Sequence, residues 1–326
     1  MTEQKPPDSS VLTTLLKGSG QVIFCDHPVT GLLFLLGIAW GSWTAGNIWV
    51  FLGACVGLVV STLTAYWLEL DREGRDAGLY GYNGILVGAA LPTFLHPEWR
   101  LWLLLVVAAA VSTVVLSAAA RFFEPWKVPA LTMPFVLVSW MVLRAAFIFA
   151  DVKLGPLSAP HLVVKLQAEN PVYPATPLFW LQSVLEGVGQ IFLIADPWTG
   201  LVFLIGLAVA SRRIAALALA GSVIGVLVAV LFGAKPEDIS SGLYGFNPAL
   251  TAAAVGAVFG PATLRCQLLA LLAAVFAVIT HAAFQVTTAP VGVPTLTAPF
   301  VVVTWVFLFA MKQESRPAEQ PCASRG

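Results

Sequence analysis

GLYGYNG at residues 78–84 and GLYGFNP at residues 242–248 are two copies of one stretch, and they stand 164 positions apart. Each copy combines glycines, aromatic residues and an asparagine, and each opens a short apolar run. A repeat separated by such a distance is one whole structural half, because solenoid repeats have far shorter periods. The sequence therefore predicts a chain built from two equivalent halves.

Two further segments recur at nearly the same separation. GSGQV at 18–22 matches GVGQI at 187–191, and LTMPF at 131–135 matches LTAPF at 296–300. The three motifs follow in the same order in both copies. We expect membrane repeats at residues 11–150 and 181–311, joined by a proline-rich connection at 151–180.

The composition predicts what kind of halves these are. Apolar residues make up 58% of the chain, charged residues 10%, and the mean hydropathy is +0.86. A water-soluble globule of 326 residues would need more polar surface than this, so we expect an all-α polytopic membrane protein. The formal net charge is zero and no basic run occurs, which argues against a nucleic-acid partner.

Each half contains six apolar stretches, of which two are too short to cross a bilayer comfortably. If one short stretch per half is re-entrant and five span, the second half is inverted relative to the first. The expected fold is then about ten spanning helices and two re-entrant half-helices around a central pore, in inverted repeats. Residues 1–10 read as a disordered tail and 312–326 as a polar one. The placement of lysine and arginine favours a cytoplasmic side for both ends.

The glycine-broken motifs are where a polar path is expected, because broken helices are tolerated only inside protein or beside a cavity. The recurring polar groups there are Gln21 with Gln190 and Thr132 with Thr297. We interpret these four as pore-lining, since a two-fold site requires matching positions. The motifs contain no charged or histidine side chain, which argues against an ion-coupled pump. Asn83 and Asn247 are expected only to cap the short helices that they begin.

An aromatic residue stands four positions before a leucine in each copy: Tyr82 before Leu86, and Phe246 before Leu250. That spacing places both side chains on one helical face, which is typical of ordinary core packing. A flat apolar slot beside the broken backbone fits the pattern equally well. Such a slot, rimmed by oxygen acceptors, suits a small, flat, neutral molecule with several N–H donors.

Together, the three duplicated motifs resemble those of the urea transporters over residues 11–311. The resemblance implies a homotrimer in the cell membrane, each ten-span protomer with its own pore for passive urea conduction. It also implies urea sites flanked by oxygen ladders, around a dehydrating centre marked by two threonines. Carried over by motif, the pore residues are Gln21, Gln190, Thr132, Thr297, Tyr82, Leu86, Phe246 and Leu250, with Phe24 and Ile191 as further slot residues.

This sequence departs from the family pattern at two of these positions. Tyr82 stands where phenylalanine is expected, so its hydroxyl would narrow the slot or add a donor. Gln190 is neutral where some members carry glutamate, which leaves the expected pore uncharged. Neither departure calls for a metal or a cofactor, and we expect none.

Other readings of the sequence lead to other solutes or to a different class of protein. Residues 247–249 spell the asparagine-proline-alanine signature of aquaporins, which keeps water or glycerol open as solutes, together with short amides. An ammonia channel would need facing histidines, but the repeat relates none of the four histidines to another. An enzyme would need a nucleophile, a base and an orienting group together, and Asp26-His27 beside Cys25 is a poor candidate. We therefore predict that the chain is not an enzyme.

Overall fold

The computed structural model describes residues 10–163 and 171–312. Residues 1–9 and 313–326 of the expected tails lie outside it, as do residues 164–170 of the connection. The described residues are helical throughout, apart from loops and one isolated β-bridge between Leu95 and Leu154.

The same order of helices is present twice. The helices of the first half are α1 Val11–Gly20, α2 Pro28–Thr44, α3 Trp49–Trp67, α4 Arg72–Asp76, α5 Tyr82–Phe94, α6 Trp99–Phe123 and α7 Met133–Ala146. Those of the second half are α8 Pro177–Gly189, α9 Pro197–Ala210, α10 Arg212–Leu231, α11 Pro236–Ser240, α12 Phe246–Ala253, α13 Leu264–Thr288 and α14 Ala298–Lys312. Helix α8 begins inside the stretch that the sequence suggests as the connection.

Short helical segments also occur in matching places. A 3₁₀ turn follows both α1 and α8, at Gln21–Ile23 and Gln190–Phe192. Another follows both α6 and α13, at Glu124–Trp126 and Ala289–Val291. A π-helical segment, Ala254–Val258, continues α12. The two halves of the sequence therefore fold into equivalent sets of elements.

Four helices are long and apolar enough to cross a membrane, namely those within Trp49–Trp67, Trp99–Trp126, Arg212–Leu231 and Leu264–Val291. Only 39–44% of the residues in these spans are buried within the protein, so most of each span faces outward. Outward-facing apolar residues need lipid around them. The protein is therefore a helical membrane protein.

Two further segments of spanning length are broken. Helices α1 and α2 meet at a bend of 75°, and α8 and α9 meet at a bend of 73°. If each bent pair counts as one span, the count rises from four to six. The bend follows a residue in the left-handed region, Phe24 (φ 61°) in the first half and Leu193 (φ 60°) in the second. Each half thus begins with a short helix that stops inside the protein.

Helices α5 and α12 are short because they lie in the protein interior. Residues 83–92 of α5 and all of α12 are buried. A buried helix does not have to match the thickness of the lipid, since surrounding protein satisfies the backbone groups beyond its ends. Glycines bring α3 against α5: a Cβ on Gly57 would lie 2.1 Å from the Gly84 carbonyl oxygen, and one on Gly53 would lie 2.2 Å from the Gly88 oxygen.

The interface between α2 and α9 consists of reciprocal contacts. Thr30 Oγ1 donates to the Gly206 carbonyl at 2.7 Å, and the equivalent Thr199 Oγ1 donates to the Gly37 carbonyl at 3.1 Å. When a residue of each half makes the same contact with the equivalent residue of the other half, the contact has the pattern of a two-fold relation. The hydrogen bonds between α2 and α9 are therefore reciprocal between the two halves.

Candidate functional site

The two threonines of the repeated boxes touch each other. Thr132 Oγ1 and Thr297 Oγ1 lie 2.6 Å apart, within hydrogen-bonding distance, and both residues are buried. Each threonine immediately precedes a helix, α7 or α14, whose second position is proline. Proline is well accepted there because the first N–H groups of a helix have no partner within it. The helix starts of the two halves thus meet at this pair.

The backbone before each threonine has an uncommon conformation. Leu131 has φ 53° and Leu296 has φ 48°, both in the left-handed region that branched side chains rarely adopt. A residue held in this region costs about 1–3 kcal/mol and persists only where its surroundings impose it. Because the strain occurs at the same place in both halves, it belongs to the architecture of the site.

Asparagine side chains hold these two helix starts. Asn83 Oδ1 accepts from the Phe135 N–H at 3.0 Å, and Asn247 Oδ1 accepts from the Phe300 N–H at 3.0 Å. The sequence suggested that each asparagine caps its own helix, and that interpretation is wrong. Each one caps the first turn of a different helix, α7 or α14. The side chains of Thr132 and Thr297 are then free to meet each other.

The two glutamines make equivalent bonds. Gln21 Nε2 donates to the Ala77 carbonyl at 2.9 Å, and Gln190 Nε2 donates to the Ser241 carbonyl at 2.8 Å. Both acceptors precede the glycine that opens a repeated GLYG stretch. Each bond uses an amide hydrogen, and the acceptor oxygen of the side chain takes no part in it. Both glutamines are half-buried.

Leu86, Ile191, Phe246 and Leu250 are buried, whereas Phe24 and Tyr82 are half-buried, and the equivalent Tyr82 and Phe246 have different partners. Leu86 and Leu250 are fully buried in one continuous apolar core. The Tyr82 hydroxyl donates to the Leu131 carbonyl at 2.6 Å. The Phe246 ring instead meets the edge of the His281 ring, with centroids 5.7 Å apart and planes at 86°.

A cavity of about 200 Å³ opens beside the second-half helix start. Four of its lining residues are ones that the motifs predict: Gln190, Ile191, Phe246 and Thr297. The other lining residues are Thr93, Phe94, Phe135, Leu193, Leu243, Pro294, Thr295 and Leu296. All of the lining side chains are neutral, so a solute in this cavity meets hydroxyl and amide groups and apolar walls.

Sequence reasoning missed several residues of this cavity. Leu193 is the counterpart of Phe24 at the repeat distance of 169 positions, so extending the repeat by two residues would have found it. Phe135, Leu243 and Leu296 belong to the repeated motifs but were not singled out as lining residues, and only Thr295 of these four carries no repeat signal. Phe24 itself packs near α14, with its ring centroid 6.2 Å from that of Phe300. Gln21 and the two slot leucines are not in contact with the cavity.

Charged residues stand near the site in two ways. Lys235 and Asp238 line a neighbouring cavity, which shares Phe94, Leu243, Pro294 and Thr295 with the cavity described above. Lys17 and Glu186 hold equivalent positions, each one helical turn before the site glutamine of its half. The Lys17 ammonium donates to the Asp76 carbonyl at 3.2 Å. Neither Lys17 nor Glu186 lines the cavity described above.

Two equivalent helical halves, extensive lipid-facing surface and a neutral polar site between the halves define an integral membrane protein of the transporter class. Comparison with known families agrees: the urea transporter model matches residues 12–312, and the chain belongs to that family. Members of the family are transporters and not enzymes, as the sequence predicted.

Known relatives match over nearly the whole chain. Urea transporter 1 of Ovis aries is 34% identical over 310 residues, which is 94% of this chain and 78% of the relative. Urea transporter 1 of Capra hircus gives the same identity and coverage. The protein of that name from Rattus norvegicus is 34% identical over 314 residues, with the same shares covered.

Proposed function

We propose that this protein conducts urea passively across a membrane, through a narrow path between its two halves. The observation that carries the proposal is the Thr132–Thr297 contact, which puts paired hydroxyls at the meeting of the helix starts. Membership in the urea transporter family supports urea as the solute. Water, glycerol, ammonia and short amides are the solutes against which the proposal is tested.

The chemistry of the site suits urea. Urea is flat and neutral, with N–H donors along its edges, so it needs acceptor oxygens beside it and apolar surface over its faces. In the second half, the Gln190 side chain and the Thr297 hydroxyl offer oxygens beside the Phe246 ring. In the first half, Gln21, Thr132 and Tyr82 take the equivalent roles in the proposal.

The proposal also assigns the slot residues Leu86 and Leu250 to the apolar surroundings of this path, one layer behind the residues that line the cavity. Phe24 and Ile191 are the further slot residues of the proposal. Support comes from the apolar core: Ile191 is buried in the same core as Leu86 and Leu250, and Phe24 packs against it. The dry surroundings matter because a hydrogen bond gains strength where water is excluded.

We further propose ten spans and two half-helices in inverted repeats. Helices α2, α3, α5, α6 and α7 would span in the first half, and α9, α10, α12, α13 and α14 in the second. The short α1 and α8, which end at the sharp bends, would be the half-helices. Five crossings per half reverse the direction of the second half, which agrees with the two-fold character of the α2–α9 contacts.

The surface supports a lipid environment and the proposed localisation in the cell membrane. Trp43 and Trp67 are exposed at helix ends, where tryptophan marks the boundary between lipid and water. Trp99, at the start of α6, is 66% exposed as well. We propose that both ends of the chain are cytoplasmic, as the charge pattern indicates. The proposed homotrimer rests on the family resemblance.

Reconstitution into liposomes tests the proposal. Stopped-flow light scattering should show fast urea entry into vesicles that contain the protein, with glycerol and thiourea entering more slowly. Gln190→Leu should reduce urea flux several-fold, because urea loses an acceptor while it is dehydrated, at a cost of about 1–3 kcal/mol. Gln182→Leu is the matched control, because it makes the same change on α8 eight positions before Gln190, at a residue that does not line the cavity. Urea entry no faster than in empty vesicles would contradict the proposed function.

A further inference from the structure

His281 on α13 and Leu116 on α6 hold equivalent places in the two halves, 165 positions apart. Leu116 belongs to a buried apolar cluster against which Tyr82 packs. The His281 ring meets the edge of the Phe246 ring, and Phe246 is the residue equivalent to Tyr82. One member of each pair is polar: the tyrosine of the first half and the histidine of the second.

The His281 ring takes part in the hydrogen bonds of Asn247. The Phe300 N–H donates to Asn247 Oδ1 at 3.0 Å, which fixes the orientation of this side-chain amide. Asn247 Nδ2 then lies 3.2 Å from His281 Nδ1 and 3.3 Å from the Leu296 carbonyl oxygen. An amide nitrogen can only donate, so His281 Nδ1 is the acceptor and carries no proton. Both amide hydrogens of Asn247 are thereby used.

This network ends at the wall of the site cavity. Leu296 and Thr297 line that cavity, and Thr297 immediately precedes the helix start that Asn247 holds. His281 does not line it, so the ring acts on the site through its neighbours. Its Nε2 atom is buried without a hydrogen-bond partner among the described residues. The link to the site therefore runs through Nδ1, and Thr295 Oγ1 lies 3.5 Å from the same atom.

The first half is held in another way. Leu116 offers no acceptor, and the buried Asn83 Nδ2 has no hydrogen-bond partner within the described ranges. The Tyr82 hydroxyl instead donates to the Leu131 carbonyl, which precedes the site threonine of that half. In the second half the equivalent carbonyl is held by the asparagine that the His281 ring orients.

We propose that His281 is a positioning residue for urea binding in the second half. Its Nδ1 acceptor holds the Asn247 amide, and through it the Leu296 carbonyl and the start of α14, in the geometry that urea meets. A binding site is most effective when hydrogen bonds from a supporting layer fix its side chains in place. Without this acceptor, one buried amide hydrogen of Asn247 is unpaired and the cavity wall is less well fixed. The inference rests on the proposed conduction of urea.

His281→Leu places the first-half residue in the second half and removes the acceptor. The urea concentration for half-maximal flux in liposomes should rise by about 2–10-fold, the range expected for one net hydrogen bond. His161→Leu is the matched control. His161 also lines the neighbouring cavity, but it is exposed and its Nδ1 contacts only the Ala159 carbonyl in the connection. Its half-maximal concentration should equal that of the wild-type protein.

A second pair of variants separates positioning from simple filling of space. In His281→Asn the side-chain oxygen can take the place of Nδ1, whereas in His281→Gln it takes the place of Nε2. The half-maximal urea concentration of the asparagine variant should be near the wild-type value, and that of the glutamine variant should stay raised. Packing alone predicts the opposite order, because asparagine is the smaller residue and leaves the larger void.

A wild-type half-maximal concentration in well-folded His281→Leu protein would overturn the inference. So would an asparagine variant whose half-maximal concentration is as high as that of the glutamine variant, and this comparison decides alone if His281→Leu is not monodisperse. Absence of urea flux in the wild-type protein would instead contradict the proposed function, so the two failures are distinguishable.

Discussion

Thr132 and Thr297 show how a repeated residue acquires a role that neither copy could have alone. A threonine before a helix ordinarily caps it, but here asparagines from α5 and α12 take over that task. The two hydroxyls are thereby released to face each other at 2.6 Å. Because each hydroxyl can donate as well as accept, the pair can exchange its mutual bond for bonds to a solute.

Replacing both threonines tests this role. The Thr132→Val/Thr297→Val protein keeps the shape of both side chains but loses both hydroxyls. Removal of two partners together is nearly neutral for folding, so the protein should remain monodisperse. Urea flux should fall by about tenfold or more, because an unsatisfied polar group in a dry path costs about 1–3 kcal/mol. Flux is measured in liposomes.

The matched control is Thr132→Ser/Thr297→Ser, which retains the hydroxyls and should conduct near the wild-type rate. Wild-type flux through a well-folded valine protein would show that the constriction lies elsewhere on the path.

The predictability of the site at this scale has a clear limit. The repeats indicated residue types and positions, so Gln190 and Thr297 could be named before their cavity was visible. The bond between Asn83 and Phe135 could not, because the two residues are 52 positions apart and only the packed fold brings them together. The same holds for the Tyr82 hydroxyl and its carbonyl.

At the scale of elements, long apolar runs predicted their helices closely. Two of the long apolar stretches of the sequence form α3 Trp49–Trp67 and α10 Arg212–Leu231. Sequence reasoning did not predict the two short helices α4 and α11, which lie in polar stretches between the apolar runs. Helix α4 depends on a local cap, since the Asp71 side chain accepts from the Gly74 N–H. A pattern of hydrophobicity carries no signal for a helix of five polar residues.

The glycines of α3 give a prediction about the packing of elements. A Cβ at Gly57 would lie 2.1 Å from the Gly84 carbonyl oxygen, so any side chain there forces α3 away from α5. Gly57→Val should destabilise the protein by about 1–3 kcal/mol or more, as overpacking does. The measurement is the unfolding temperature of the purified protein in detergent.

The control is Val59→Ile on the same helix, because the Val59 side chain is exposed, with a relative accessibility of 39%. Its unfolding temperature should stay at the wild-type value. An equally stable Gly57→Val protein would mean that α3 and α5 are not held together by this close approach.

At the scale of the whole molecule, the two halves are joined by pairs of equivalent hydrogen bonds, in which each half donates to the other. Trp140 Nε1 donates to the Pro294 carbonyl at 2.7 Å, and the equivalent Trp305 Nε1 donates to the Pro129 carbonyl at 2.9 Å. Each tryptophan lies on the helix that begins at a site threonine and reaches the segment that precedes the other threonine. The helix starts are thus held against each other from both sides.

The charges of the whole molecule lead to the last prediction, that conduction is uncoupled from ion gradients. Coupling requires a charged or titratable group that the solute or a co-transported ion meets inside the membrane. The cavity is lined by neutral side chains. Lys17 and Glu186 lie outside it, and Lys235 and Asp238 line the neighbouring cavity. Urea flux should therefore be unchanged when a proton or sodium gradient is imposed across the liposome membrane.

Glu186→Gln separates this explanation from a hidden role of the carboxylate that stands one helical turn before Gln190. The variant removes the charge and keeps the shape, so its urea flux should match the wild-type protein with and without a pH gradient. Accumulation of urea against its own gradient in wild-type vesicles, lost in Glu186→Gln, would identify Glu186 as a coupling residue. A passive path requires equal urea concentrations inside and outside the vesicles at the end of every experiment. Binding sites without a coupled charge can speed the approach to this equilibrium but cannot shift it.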